Sequence, residues 1–123
     1  MNKTASWFWF IAAGVAVFII GGLHMAVIHL DGIAGIFNPA GGSSLAWENV
    51  SGRNGSLVFA VSYVILLGAA LYHGLYGLYN IVSELGISEK ANGLLKKALL
   101  AAGVALFTVG AYAAFAARFI TVS

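Results

Sequence analysis

Three long stretches of this chain are apolar almost without interruption, and each is long enough to cross a bilayer. A spanning helix needs about 20 mostly apolar residues. Trp7 to Leu30 and Leu57 to Ser83 contain no Lys, Arg, Asp or Glu, and Leu94 to Ala117 is charged only at Lys96 and Lys97. The pattern therefore predicts an all-α fold: three transmembrane helices, up-down-up, at about 7–30, 57–83 and 94–117, forming a single domain over 1–123. Between the first two runs lie Pro39 and the sequence GGSS at 41–44, which are turn and breaker signals. The second link, Glu84 to Gly93, is short and charged, which suits an antiparallel hairpin.

Composition agrees. Of 123 residues, 61% are hydrophobic and 8% charged, against about 25% charged in soluble domains. A soluble enzyme is thereby excluded, and the length leaves no room for a catalytic domain beside the membrane part. Cysteine is absent, which removes disulfides, thiolate metal sites and covalent heme attachment. The net charge of +2 with scattered basic residues gives no nucleic-acid footprint.

Lys3, Lys90, Lys96 and Lys97 fall on one side of the expected topology, and Arg53 and Arg118 on the other. That bias places the N-terminus and the second link in the cytoplasm. The first run is longer than the 7–15 apolar residues of a signal-peptide core and lacks a clear cleavage site, so it reads as a mature helix. No Arg/Ser-rich transit segment precedes it, which favours a prokaryotic plasma membrane. Trp7, Phe8, Trp9 and Phe10 read as an interfacial aromatic belt, as does Trp47. Gly103, Gly110 and the alanines of 111–117 crowd the third run with small residues, the kind that allow close helix contact in lipid. A bundle of three helices has little interior, so packing against other membrane chains is expected.

So few polar groups enter the apolar runs that each is informative. His73 lies in mid-span, and an imidazole at that depth needs a metal, a hydrogen-bond partner or a proton path. Gly77 falls one turn away on the same face and Gly74 is adjacent, leaving flat space for a bulky planar ligand such as heme. A bond to a neighbouring helix is the alternative. His24 and His29 are five apart, about 140° around a helix, so they do not share a ligand face. On the expected topology, His24 lies about 9 Å from the outer end of its helix and His73 about 24 Å from its own. The two cannot clamp one iron, so a second axial ligand to any heme at His73 comes from another chain. Tyr72, Tyr76 and Tyr79 follow helical spacing, and Tyr76 is a candidate to reach a cofactor edge. No Walker loop, dinucleotide-binding glycine motif or nucleophile triad is present.

The segment ALYHGLYGLYNIVSEL, residues 70–85, resembles the second transmembrane helix of the small membrane-anchor subunits of succinate dehydrogenase and fumarate reductase, respiratory complex II. The pattern H-G-x-x-G-[LIM]-x-x-[IVL]-x-x-[DE] is filled by His73, Gly74, Gly77, Leu78, Ile81 and Glu84. Trp47, Val50 and Arg53 in the first link, and His24, Met25 and His29 late in helix one, add to the likeness. The layout is shared over nearly the whole chain, the motif over about fifteen residues.

The resemblance implies a non-catalytic anchor that tethers a flavoprotein subunit and an iron–sulfur subunit to the bilayer beside a second membrane-anchor subunit. His73 would be an axial ligand to the iron of a heme b between the two anchors. Electrons would pass from succinate through flavin and clusters to ubiquinone or menaquinone, or back to fumarate, linking the chain to the tricarboxylic acid cycle. If a second heme exists, His24 or His29 is its natural local ligand. Two positions depart from the pattern: Leu85 stands where relatives carry a quinone-bonding tyrosine, and Tyr79 where an arginine often meets a heme propionate. Alternatives are the heme-b membrane subunit of a hydrogenase or formate dehydrogenase, and a heme-free helical subunit or small transporter.

Overall fold

A computed structural model describes residues 2–29, 42–43 and 45–120. Asp31, Pro39 and the rest of 30–41, on which the sequence reading of the first link rests, lie outside the described residues. Among those described the architecture is all-helical. The first span consists of α1 (Lys3–Ala16), a π-helical turn (Val17–Gly21) and α2 (Gly22–His29). A short helix, α3 (Trp47–Gly55), precedes the second span, α4 (Leu57–Ser83). The third span is α5 (Glu89–Ala116), ending in a 3₁₀ turn (Ala117–Phe119). All three spans are long and apolar enough to cross a membrane.

Capping residues upstream of the apolar runs explain why two helices start earlier than expected. The Asn2 side chain accepts from Ala5 N at 2.7 Å, so α1 begins at Lys3 rather than Trp7. Ser88 Oγ accepts from Ala91 N at 3.2 Å, which opens α5 at Glu89 rather than Leu94. Glu89 in that first turn faces the positive end of the helix dipole. Gly86, at φ +75°, makes the left-handed turn of the remaining link, a conformation glycine adopts without the steric cost of a Cβ.

Helix α3 is an element the sequence reading did not anticipate. Its turns carry polar rather than apolar residues inward: Asn49 is fully buried and Arg53 nearly so. Asn49 Nδ2 donates to Ser43 O at 2.9 Å. Arg118 Nε, at the end of the third span, lies 3.4 Å from Gly55 O and ties α3 to that end of the bundle.

Burial is inverted relative to a water-soluble domain. Ala60 is the one buried hydrophobic residue among those described, while Phe18 is 83% exposed and Tyr112 76%. Without water, no hydrophobic effect drives the helices together; close van der Waals packing and interhelical hydrogen bonds must do it. The second and third spans meet side chain into glycine. Phe107 lies over Gly68, Leu75 over Gly103 and Leu67 over Gly110. A Cβ on Gly103 would stand 2.9 Å from Leu75 Cδ1, so these glycines let the backbones approach. Gly103 and Gly110, expected to allow close helix contact, make that contact within this chain.

Candidate functional site

The seam between the first and second spans holds His73. Going along the first span, Phe10 packs against Gly77, Gly14 against His73, Gly21 against Leu66 and His24 against Tyr63. This antiparallel register places His24 and His73 ten residues apart along α4, about 15 Å at helical rise. One iron cannot take both.

His73 is held by three contacts. Its Nδ1 lies 2.9 Å from Phe10 O; a carbonyl only accepts, so Nδ1 carries the proton and donates. The Phe10 ring stacks on the imidazole at 4.2 Å and 3°. Gly14 closes the third side: a Cβ there would stand 2.8 Å from His73 Cε1. Ser6, Phe10 and Gly14 recur every fourth residue, which puts them on one face of α1. Tyr72, beside His73, donates to Ser6 O at 2.8 Å and fixes the same face.

With Nδ1 donating to Phe10 O, Nε2 is the ring nitrogen left to meet a further group. The one hydrogen bond of His73 among the described residues is to Phe10 O, and no buried side-chain nitrogen or oxygen among those residues lacks a partner. Nε2 therefore reaches the surface of the bundle, at membrane depth, with no hydrogen-bond partner among the described residues.

The remaining candidates are dispersed. Gly74 has nothing within 4 Å, so the space expected beside it is open. Beside Gly77 that space is filled, because Phe10 Cε2 would stand 3.3 Å from a Cβ there. Tyr76 stacks on Tyr72 at 5.6 Å and 8° and tilts against Phe10 at 5.5 Å. His24 meets the edge of Tyr63 at 5.6 Å. His29 is exposed at the end of α2.

Phe10 departs from its expected place in an interfacial belt. Trp7, Phe8 and Trp9 do face outward, but Phe10 turns in, because it shares the face of Ser6 and Gly14. Phe10 and Gly14 were the functional positions missed, and their four-residue spacing from Ser6 was the available signal.

A heme b can be tested against these residues. A metal-bound histidine commonly donates its second ring nitrogen to a backbone carbonyl, which orients the ring and raises the basicity of the ligating nitrogen. The Nδ1 bond to Phe10 O matches that arrangement, and Nε2 at the bundle surface is the nitrogen that would hold the iron. The residues fit. Groups of three or more His, Cys, Asp or Glu able to hold a bare metal ion are absent among the described residues; a heme iron needs a single histidine from this chain.

Three exposed apolar spans around one polar seam define a multi-pass helical membrane protein. A family model described as the succinate dehydrogenase/fumarate reductase transmembrane subunit matches residues 2–112. The chain belongs to that family, whose members are in general cytochrome b, quinone-binding subunits. No curated protein and no solved structure matches it.

Proposed function

We propose that this chain is one of two hydrophobic anchors of a succinate:quinone oxidoreductase or quinol:fumarate reductase, with His73 Nε2 as an axial ligand to a heme b shared with the second anchor. The observation that carries this reading is the His73 imidazole: Nδ1 satisfied by Phe10 O, Nε2 unpartnered at the surface of a membrane-spanning bundle. An unsatisfied nitrogen facing hydrocarbon costs on the order of a few kcal/mol, so a group from outside the chain belongs there. A heme b, when bound, would supply one-electron storage.

This chain's own part is to bind and orient. Phe10 and Gly14 hold the imidazole, Gly74 leaves one side of α4 open, and Tyr76 stands on the neighbouring face. Leu85 offers no hydrogen bond to quinone, so the donor is another side chain, of this chain or of a partner subunit. The iron–sulfur and flavoprotein subunits dock at the end bearing Lys3, Lys90, Lys96 and Lys97, which faces the cytoplasm of a prokaryotic cell by the positive-inside bias. The 1–123 chain acts as one anchor domain and catalyses nothing alone.

Gentle detergent purification, with identification of every co-eluting chain and a reduced-minus-oxidised absorption spectrum, tests this. The expected result is a flavoprotein, an iron–sulfur subunit and a second small anchor, with succinate–quinone activity and a b-type band. A hydrogenase or formate dehydrogenase in their place would overturn it. The Phe10 carbonyl contact also supports a second reading: a heme-free anchor in which His73 pins the first span to the second. A complex with succinate activity and no b-type band would select that reading.

A further inference from the structure

Beside the His73 seam, and sharing Ser6, Tyr72 and Tyr76 with it, a cleft of about 1200 Å³ runs along α4 between the first and third spans. Its polarity is ordered from end to end. Lys3 and Lys96 stand at the mouth, with Ser6, Asn80, Ser83 and Asn92 near them. The far end is apolar, formed by Gly68, Gly103 and Phe107. Both charged liners are cations, and no Asp or Glu lines the cleft.

The length is informative. Lys96 and Phe107 are eleven residues apart on α5, about 16 Å at helical rise, and half the hydrocarbon core of a bilayer is about 15 Å. The cleft thus spans one leaflet, from cationic mouth to apolar floor. The ligand that matches this is an amphiphile with an anionic head and a tail one leaflet long. A quinone's carbonyls accept hydrogen bonds from lysine but bring no negative charge to balance the two cations.

We propose that this cleft is a resident site for an anionic phospholipid, its phosphate at Lys3 and Lys96 and an acyl chain lying toward Gly68 and Phe107. Basic pockets between transmembrane helices on the cytoplasmic side favour anionic head groups by charge. Tyr72 and Tyr76, stacked at 5.6 Å, present a rigid wall to the chain. The lipid would fill the space between two spans that this chain leaves apart, beside the His73 seam.

Lipid extracted from the delipidated, purified complex and quantified by mass spectrometry tests the site. The wild type is expected to retain phosphatidylglycerol or another anionic phospholipid. The double variant Lys3→Gln/Lys96→Gln is expected to lose it by about tenfold or more, and Lys3→Arg/Lys96→Arg to keep it. Lys90→Gln/Lys97→Gln removes the same charge outside the cleft and is expected to keep the lipid. Native mass spectrometry of the wild type with added phosphatidylglycerol or phosphatidylcholine gives a readout that needs no variant, with retention expected for the first alone. Equal lipid in Lys3→Gln/Lys96→Gln and Lys90→Gln/Lys97→Gln, equal retention of both added lipids, or loss of quinone in place of phospholipid would overturn the proposal.

Discussion

The two helix seams of this bundle are built from different chemistry. Between the second and third spans, Leu67, Leu75 and Phe107 seat into Gly110, Gly103 and Gly68, with no polar bond until the end, where Ser83 Oγ lies 2.6 Å from Asn92 Oδ1. Between the first and second spans the same close approach at Gly14 and Gly77 serves a polar, aromatic cluster: His73 to Phe10 O, Tyr72 to Ser6 O, and the stacked Phe10 ring. One seam is steric and holds the hairpin together. The other orients an imidazole, and steric fit there serves that orientation. A glycine in a membrane helix therefore has meaning only through what packs on it.

Substitutions that exchange the roles of the seams would break this contrast. Gly14→Val has the largest expected effect after loss of His73 itself. Its Cβ alone would stand 2.8 Å from His73 Cε1, so the imidazole must shift. Bound heme per assembled complex is expected to fall by about tenfold or more, as happens when the groups that orient a metal-binding histidine are disturbed. The measurement is the pyridine hemochrome ratio.

Gly110→Val meets Leu67 instead. Overpacking of this kind costs about 1–3 kcal/mol, so thermal unfolding is expected at a lower temperature while heme per assembled complex stays at the wild-type ratio. Equal loss of heme in both variants would erase the distinction between the seams. Tyr72→Phe removes a single interhelical bond, worth about 1 kcal/mol, and is expected to lower stability slightly with an unchanged spectrum. Gly74→Ala is the smallest perturbation inside the chain, since nothing lies within 4 Å. Helix content by circular dichroism is expected to hold, so any drop in heme or shift of the absorption band reports a group outside the chain.

Much of this was legible in the sequence because lipid imposes a simple rule: apolar runs of spanning length are helices, and a polar group within one is conspicuous. That rule yielded the three spans, singled out His73 and separated it from His24 by depth. It did not reach the helix starts, which depend on the caps Asn2 and Ser88 upstream of the apolar runs. It also missed α3, whose inward side carries Asn49 and Arg53 rather than an apolar stripe. Phe10 looked like one more aromatic of a belt. Its four-residue spacing from Ser6 and Gly14 marked a shared face, but only the pairing of spans shows that this face covers His73 and Gly77. The family resemblance in residues 70–85 was likewise readable, and the match over 2–112 bears out membership.

The most direct measurement is the reduced-minus-oxidised spectrum of the purified complex carrying His73→Ala, beside the wild type at equal assembly. The b-type band is expected in the wild type and absent from the variant, with the flavoprotein and iron–sulfur subunits still attached. An undiminished b-type band in the variant would contradict the assignment of His73 as the ligand.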